Sequence, residues 1–131
     1  MRLTARLRYG LDALVDLAAA GAPVKGDVLA GRHAVSVGFL ENILSELRRA
    51  GIVQSKRGGH GGYWLARPAE AVTVADVVRV LDGGDRIDTT GRSASDRDGD
   101  GLLPVWRAIA EAERATAASF TLAALAKEHR G

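Results

Sequence analysis

Apolar residues at helical spacing open the chain. Between residue 4 and about residue 20 they recur at steps of three and four, which predicts one buried face of a helix. This face comprises Leu7, Leu11, Leu14, Val15 and Ala18. The run Gly21-Ala22-Pro23 ends the helix. A second short helix is predicted over residues 25–32, with Val28 and Leu29 turned inward.

The third predicted helix, over residues 37–50, has the clearest apolar face. Ser36 stands just before it, where a side-chain oxygen can accept a hydrogen bond from a free backbone amide. Gly51 supplies the left-handed residue that ends it. Its buried positions are Phe39, Leu40, Ile43, Leu44 and Leu47. Three short helices with a tight turn before the last are typical of a helix-turn-helix.

A strand pattern replaces the helical pattern after Gly51. Residues 52–57 and 61–66 predict two antiparallel strands, joined by the loop Gly58-Gly59-His60. The glycines leave so little side chain on this loop that it can approach another backbone closely. A helix-turn-helix followed by a glycine-tipped hairpin is a winged helix. We therefore expect a mainly α fold with a small two-stranded β wing.

The remaining sequence predicts further helices around a polar segment. Thr73 and Asp76 form a shortened capping box that opens a fourth helix, which Gly83-Gly84 ends. Residues 85–101 are almost wholly Asp, Gly, Ser, Thr and Arg, which predicts a mobile loop because so little of it can be buried. A long, alanine-rich helix is then predicted over residues 104–119.

The predicted C-terminal arm ends in a short helix over residues 122–129, capped by Thr121. Trp106, Ile109 and Phe120 fall roughly at helical spacing and predict a dimer interface. The alternative is that the arm folds back on its own winged helix. The expected parts are therefore a winged helix-turn-helix at 1–82, a flexible loop at 83–101 and a helical dimerisation arm at 102–131.

Composition and charge narrow the function classes. The chain has 131 residues and no cysteine, which excludes disulfides, thiolate metal sites and cysteine nucleophiles. Neither a leader nor an apolar run long enough to span a membrane is visible, so we expect a cytoplasmic protein without a membrane partner. Residues 1–67 hold ten Lys or Arg against five Asp or Glu, whereas residues 68–131 hold eight against eleven. A basic N-terminal half suits a phosphate-binding surface.

Residues on the third helix and on the wing are candidates for contacting double-stranded DNA. In the major groove, Asn42 can pair with adenine, Glu41 can accept from the cytosine amino group and Val37 can touch a thymine methyl. Arg57 can enter the minor groove, whose negative potential attracts arginine. The full candidate set is Arg2, Ser36, Val37, Gly38, Phe39, Glu41, Asn42, Lys56, Arg57, Gly58 and His60.

Two other function classes are weighed against DNA binding. Polar outer faces are common on helices, so a winged-helix module that binds only other proteins is the alternative. An enzyme is not expected, since His33, His60 and His129 are scattered along the chain without a carboxylate spaced to pair with them. For the same reason neither a catalytic triad nor a metal site is predicted.

Four segments carry a resemblance to a known family: MRLT with YGL near the start, SVGFLENIL at 36–44, LRRAGIV at 47–53 and, above all, SKRGGHGGYWLARP at 55–68. They resemble the Rrf2 transcriptional regulators, a bacterial family that includes iron–sulfur cluster, nitric-oxide and cysteine-metabolism regulators. The resemblance implies a homodimer, joined through the long C-terminal helix, that binds an inverted-repeat operator and usually represses. It also implies two sets of contacts: bases read by Ser36, Gly38, Glu41 and Asn42, and minor-groove entry by Arg57 with Gly58.

The chain departs from the sensing members of that family in one segment. Those members carry three cysteines in the loop before the long helix, usually to hold an iron–sulfur cluster, whereas residues 85–101 hold neither Cys nor His. Cluster chemistry and thiol chemistry both need thiolates, so the hypothesis is a regulator without a cofactor. A metabolite effector, a partner-protein effector and the loss of any sensor are the alternatives left open.

Overall fold

Residues 3–81 and 102–130 are described by the computed structural model. Its elements in chain order are α1 (Ala5–Ala20), α2 (Gly26–His33), α3 (Val37–Arg49), β1 (Val53–Lys56), β2 (Gly62–Leu65), a 3-10 turn (Ala69–Ala71), α4 (Val74–Leu81), α5 (Leu103–Ala118) and α6 (Leu122–Arg130). The two strands form an antiparallel sheet, so the expected mainly α fold with a two-stranded wing is confirmed. Arg2, the predicted helix end at 83–84 and the predicted loop at 85–101 lie outside the described residues.

The helix ends follow local signals in the sequence. The Ser36 hydroxyl accepts a hydrogen bond from the Phe39 amide at 3.1 Å. Thr73 and Asp76 exchange both bonds of a capping box, at 2.9 and 3.2 Å. Gly51 has a φ of 81°, in the left-handed region expected after α3. These three predicted helix ends are confirmed, because a cap depends only on residues close together in sequence.

The hydrophobic core is centred where α1, α3 and α4 meet. Its largest fully buried side chains are Leu7, Leu14, Leu29, Leu40, Ile43, Leu44, Leu47, Ile52, Leu122, Val53, Val72 and Val77. Gly10 of α1 permits the closest approach, because a Cβ there would overlap Leu81 Cδ1 and lie 3.2 Å from Ile43 Cγ2. Packing against α1 and α4 fixes the orientation of α3 relative to these two helices.

The predicted buried faces of α1 and α2 are wrong in detail. In α1, Leu17 is buried, whereas Leu11 and Val15, expected inward, are half-buried. The cause is that α1 is covered from two directions, by α4 and by α6, which its own periodicity does not reveal. In α2, Val28 is 45% exposed rather than inward, because the helix packs on α3 through the face of Leu29.

The C-terminal segment pairs with the winged helix through its backbone. The Val74 amide donates to the Phe120 carbonyl at 2.9 Å. The Leu122 amide in turn donates to the Val72 carbonyl, also at 2.9 Å. Leu122 is fully buried, and α6 lies along α1. The last helix therefore shares the core of the winged helix.

Helix α5 packs on α4 with one side and leaves another side open. Ala110 and Ala117 are buried and Trp106 is half-buried. Ile109 and Phe120 are 43% and 47% exposed. The dimer interface on this arm stays a prediction. Of the described helices, none is long and apolar enough to cross a membrane.

Candidate nucleic-acid interface

The first turn of α3 is an exposed surface with little side-chain bulk. Ser36, Val37 and Gly38 are all exposed. No heavy atom lies within 4 Å of the place where a Cβ on Gly38 would stand. The Ser36 hydroxyl is engaged in capping the helix, whereas Val37 is 40% exposed and Gly38 has no side chain to cover its backbone. A phosphate or base edge can therefore approach the helix backbone closely at this point.

Asn42 is held by a residue from the start of α1. The Arg6 guanidinium donates from Nη1 to Asn42 Oδ1 at 3.0 Å and forms an ion pair with Glu46. A guanidinium has only donors, so the amide oxygen of Asn42 must face Arg6. Asn42 is thus left with both Nδ2 hydrogens and the second lone pair of Oδ1. No sequence signal relates Arg6 to Asn42, because the two lie 36 positions apart.

Glu41 is exposed, but its carboxylate leans toward the start of α2. A Cβ added at Gly26 would stand 3.1 Å from Glu41 Oε1 and 3.4 Å from Tyr63 Cε2. Burial raises the pKa of the Tyr63 hydroxyl, the negative charge of Glu41 raises it further, and Arg48 acts in the opposite direction. The carboxylate thus lies between the base of the wing and the first amides of α2, where a helix favours negative charge.

Phe39 is half-buried, although its spacing predicts a fully buried position. Its ring packs edge-on against Tyr9, with the centroids 6.0 Å apart and the planes at 84°. The reason is that position 39 lies at the border between the core face and the open first turn of α3. Its candidate role in DNA contact stays a prediction.

The tip of the wing is exposed and tied to the helices. Lys56, Arg57 and His60 are all exposed. The Lys25 ammonium donates to the Gly58 carbonyl at 2.9 Å, and Gly58 has a φ of 110°, which favours glycine. The tip is therefore fastened to the start of α2 by a contact that sequence reasoning missed.

The base of the wing is fastened at a second point. Val24, just before α2, pairs with Tyr63 of β2 through two backbone hydrogen bonds of 2.8 and 3.0 Å. A Cβ on Gly62 would lie 2.7 Å from the Val24 carbonyl carbon. Glycine at 62 thus allows the chain before α2 to run beside the hairpin and fixes the wing relative to α3.

A cleft of about 310 Å³ joins α3 to the wing. Its lining brings Glu41 of α3 together with Lys56 and Arg57 of the wing, three of the predicted DNA-contacting residues. Arg48 also lines it and donates to the Ser55 hydroxyl at 3.4 Å. Arg48 stands seven residues after Glu41, which places both side chains on one face of α3.

One histidine has a carboxylate partner that the sequence spacing does not reveal. His33 Nε2 lies 2.6 Å from Asp16 Oδ2, and Asp12 Oδ2 lies 4.0 Å from His33 Nδ1. The expectation that no carboxylate pairs with a histidine is therefore wrong for His33. The contact arises because α2 ends against α1, which is a property of the packing. The contact links α2 to α1. Among the contacts of the described residues, none brings a nucleophilic side chain to His33.

A helix-turn-helix followed by a wing, with a basic cleft between the third helix and the wing, is typical of winged-helix transcription regulators that bind DNA. This chain has the architecture of that class. The chain belongs to the Rrf2 family, described as "Iron-dependent Transcriptional regulator", whose profile matches residues 3–128. The resemblance noted in the sequence is thereby confirmed.

Named relatives and solved structures agree with this assignment. The chain is 40% identical to the HTH-type transcriptional regulator Rv1287 of Mycobacterium tuberculosis, over 96% of this chain and 81% of that protein. It is 34% identical to the HTH-type transcriptional regulator IscR of Xenorhabdus nematophila, over 97% of this chain and 80% of that protein. The structure of CymR, the global cysteine regulator of Bacillus subtilis, matches with a TM-score of 0.82 at 29% identity, covering 98% of both chains.

The family description names iron, but the side chains of this protein do not fit an iron–sulfur cluster. Cysteine is absent from all 131 residues, and a cluster is held mainly by cysteine thiolates. Within residues 3–81 and 102–130, no three His, Asp or Glu side chains are grouped so that they could hold a metal ion. No step of the function proposed below uses a metal.

Proposed function

We propose that this protein is a homodimeric repressor that binds an inverted-repeat operator without an iron–sulfur cluster. The observation that carries the proposal is the cleft between α3 and the wing, where Arg48, Lys56 and Arg57 surround one carboxylate, Glu41. Cations at this place attract backbone phosphates and position the protein on the duplex. With α3 in the major groove, the wing arginine reaches the adjacent minor groove.

The contact between Arg6 and Asn42 refines which base Asn42 reads. Bidentate pairing with adenine needs both the oxygen and the nitrogen of the amide at the base edge. Arg6 engages one lone pair of Oδ1 and leaves both Nδ2 hydrogens free, so Asn42 acts in our proposal mainly as a donor through Nδ2. Its partner is then an acceptor in the major groove, such as guanine O6 or N7, or thymine O4. Arg6 is a positioning residue for this contact.

Exposed apolar side chains on α5 and next to its two ends support a dimer. Leu102, Val105, Ile109 and Phe120 are between 43% and 50% exposed. Burying them against a second copy removes this apolar surface from water, and a two-fold axis makes the contact self-complementary. The same axis relates two α3 helices, which is the symmetry that an inverted repeat requires.

Fluorescence anisotropy with the full chain tests the proposal. The labelled duplexes are the region upstream of its own gene and a scrambled control, each titrated across a series of salt concentrations. We expect a preference of about a thousandfold or more for the upstream duplex, with two chains bound per operator. Equal, weak binding to both duplexes that disappears steeply with salt contradicts the operator proposal and favours the winged-helix module that binds proteins.

Gly38→Ala separates folding from DNA contact. Because position 38 is helical and a Cβ there meets no atom within 4 Å, alanine is expected to stabilise the fold by about 0.5 to 1 kcal/mol. The added methyl group stands where DNA would approach α3, so operator affinity is expected to fall although stability rises. Thermal unfolding and anisotropy measure the two quantities. A rise in both stability and operator affinity contradicts close approach at this turn.

A further inference from the structure

A second cleft, of about 600 Å³, lies between the wing, the end of α1 and the chain before α2. Its apolar walls include Leu17 of α1, Pro23 before α2, and Trp64 and Leu65 of β2. Sites of roughly 300 to 1,000 Å³ with mainly apolar walls are typical for small organic ligands. The volume and the walls therefore fit a small molecule with an apolar body.

The charged side chains of this second cleft are mostly basic. Lys56 and Arg67 line it together with His60, and Glu70 is its one carboxylate. Among the described residues, Lys56, His60 and Arg67 make no side-chain hydrogen bond or ion pair with the protein. The unpaired ammonium of Lys56 and guanidinium of Arg67 beside an apolar wall favour a ligand that brings a negative charge of its own.

We propose that this second cleft binds an organic anion with an apolar body, such as an aromatic or long-chain carboxylate, as the effector of the protein. An inorganic anion would leave the walls around Trp64 and Leu65 unused. A neutral apolar molecule would leave Lys56 and Arg67 without a partner. The carboxylate pairs with Arg67 and Lys56, and the apolar body packs on Trp64.

The position of the second cleft couples such a ligand to DNA binding. Lys56 lines both this cleft and the cleft between α3 and the wing. A carboxylate that pairs with Lys56 withdraws that cation from a DNA phosphate. Trp64 of β2 pairs with Gln54 of β1 across the hairpin. A ligand packed on the indole therefore also affects the position of β1. This coupling rests on the proposed DNA-binding function, whereas anion binding itself does not.

A matched pair of dyes tests the anion site. The probes are 8-anilinonaphthalene-1-sulfonate and N-phenyl-1-naphthylamine, which share their rings but differ by the sulfonate. The protein is the full chain carrying Trp106→Phe, which leaves Trp64 as its single indole because the chain has two tryptophans. We expect the sulfonate dye to bind saturably, to quench Trp64 emission in parallel, and to bind about tenfold more tightly than the neutral dye.

Two charge variants locate the dye. Arg67→Gln is expected to weaken binding of the sulfonate dye by about tenfold, whereas Arg79→Gln on α4, which does not line the cleft, leaves it unchanged. Both arginines are exposed, so both variants are expected to keep the melting temperature of the parent. Equal affinity for the two dyes, or no effect of Arg67→Gln, overturns the anion site.

The coupling is tested by repeating the operator titration with the sulfonate dye at saturation. We expect operator affinity to fall about tenfold and the Arg67→Gln variant to be insensitive to the dye. An unchanged operator affinity with dye bound overturns the effector role. Absence of operator binding without dye marks failure of the proposed function instead, and the dye titrations then still decide the anion site.

Discussion

Arg57→Ala is expected to weaken operator binding by about 10- to 100-fold while the melting temperature stays unchanged. Arg57 is exposed at the start of the wing loop, and its side chain makes no hydrogen bond or ion pair with the described residues, so its removal is expected to cost the fold little. In the minor groove, by contrast, its guanidinium meets the most negative potential of the duplex. Anisotropy against the operator and thermal unfolding measure the two effects.

A matched charge variant separates this contact from general electrostatics. Arg79→Ala removes an arginine of α4 whose side chain is 72% exposed and which pairs with Asp76. It is expected to change operator affinity by less than about twofold, because α4 lies outside the proposed interface. Equal weakening by Arg57→Ala and Arg79→Ala would show that only net charge matters and would remove the wing from the interface.

Arg57→Lys adds a second comparison at the same position. Lysine keeps the charge but not the planar set of donors, so operator affinity is expected to lie between those of the parent and of Arg57→Ala. The slope of log affinity against log salt should then stay close to that of the parent. A lysine variant as weak as the alanine variant would mean that guanidinium geometry, not charge, carries the contact.

Caps and turns could be predicted from the sequence because their causes lie within three residues. Ser36, Thr73 with Asp76, and Gly51 each act on neighbouring backbone, and the structure has them as expected. Buried faces are less predictable. Val28 is apolar and at a plausible spacing, yet it is exposed, because the partner that covers α2 is chosen by the packing of distant elements.

The candidate site likewise consists of residues that could be predicted from the sequence and of contacts that could not. Its outward residues on α3 and on the wing could be selected from sequence, since helix periodicity and hairpin composition place them. The contacts that orient them could not. Lys25 reaches Gly58 across 33 positions, and Arg6 reaches Asn42 across 36. No short-range pattern encodes pairs of this kind, so they emerge only once the helices and the hairpin are packed together.

The orienting contacts change how the interface works. The wing is held at its tip by Lys25 and at its base by Val24, and both come from the turn just before α2. In the proposed interface, the backbone that carries Arg57 is therefore held in place before DNA binds, which lowers the entropy lost on binding. Because the wing is fastened to the helix-turn-helix at these two points, a change in hairpin conformation is expected to weaken operator binding more than the loss of any one side chain.

Gly61→Ala is expected to destabilise the wing by about 3 kcal/mol and to reduce operator affinity about 100-fold or more. A Cβ at position 61 would overlap the Lys56 carbonyl oxygen and stand 2.8 Å from its carbonyl carbon. Both atoms are backbone, so neither can rotate away. Relief requires the loop to open, which breaks the Gly61 amide to Gly58 carbonyl bond of 3.0 Å and displaces Arg57.

Gly59→Ala is the control within the same loop, because a Cβ there meets no heavy atom within 4 Å and its φ is not positive. It is expected to change the melting temperature little. Helical circular dichroism should persist in both variants, since the core of α1, α3 and α4 does not include the loop. The Gly61→Ala variant should therefore lose operator binding while its helical domain stays folded. If the two alanine variants have the same melting temperature and the same operator affinity, the tight turn at Gly61 is not required to position Arg57 for operator binding.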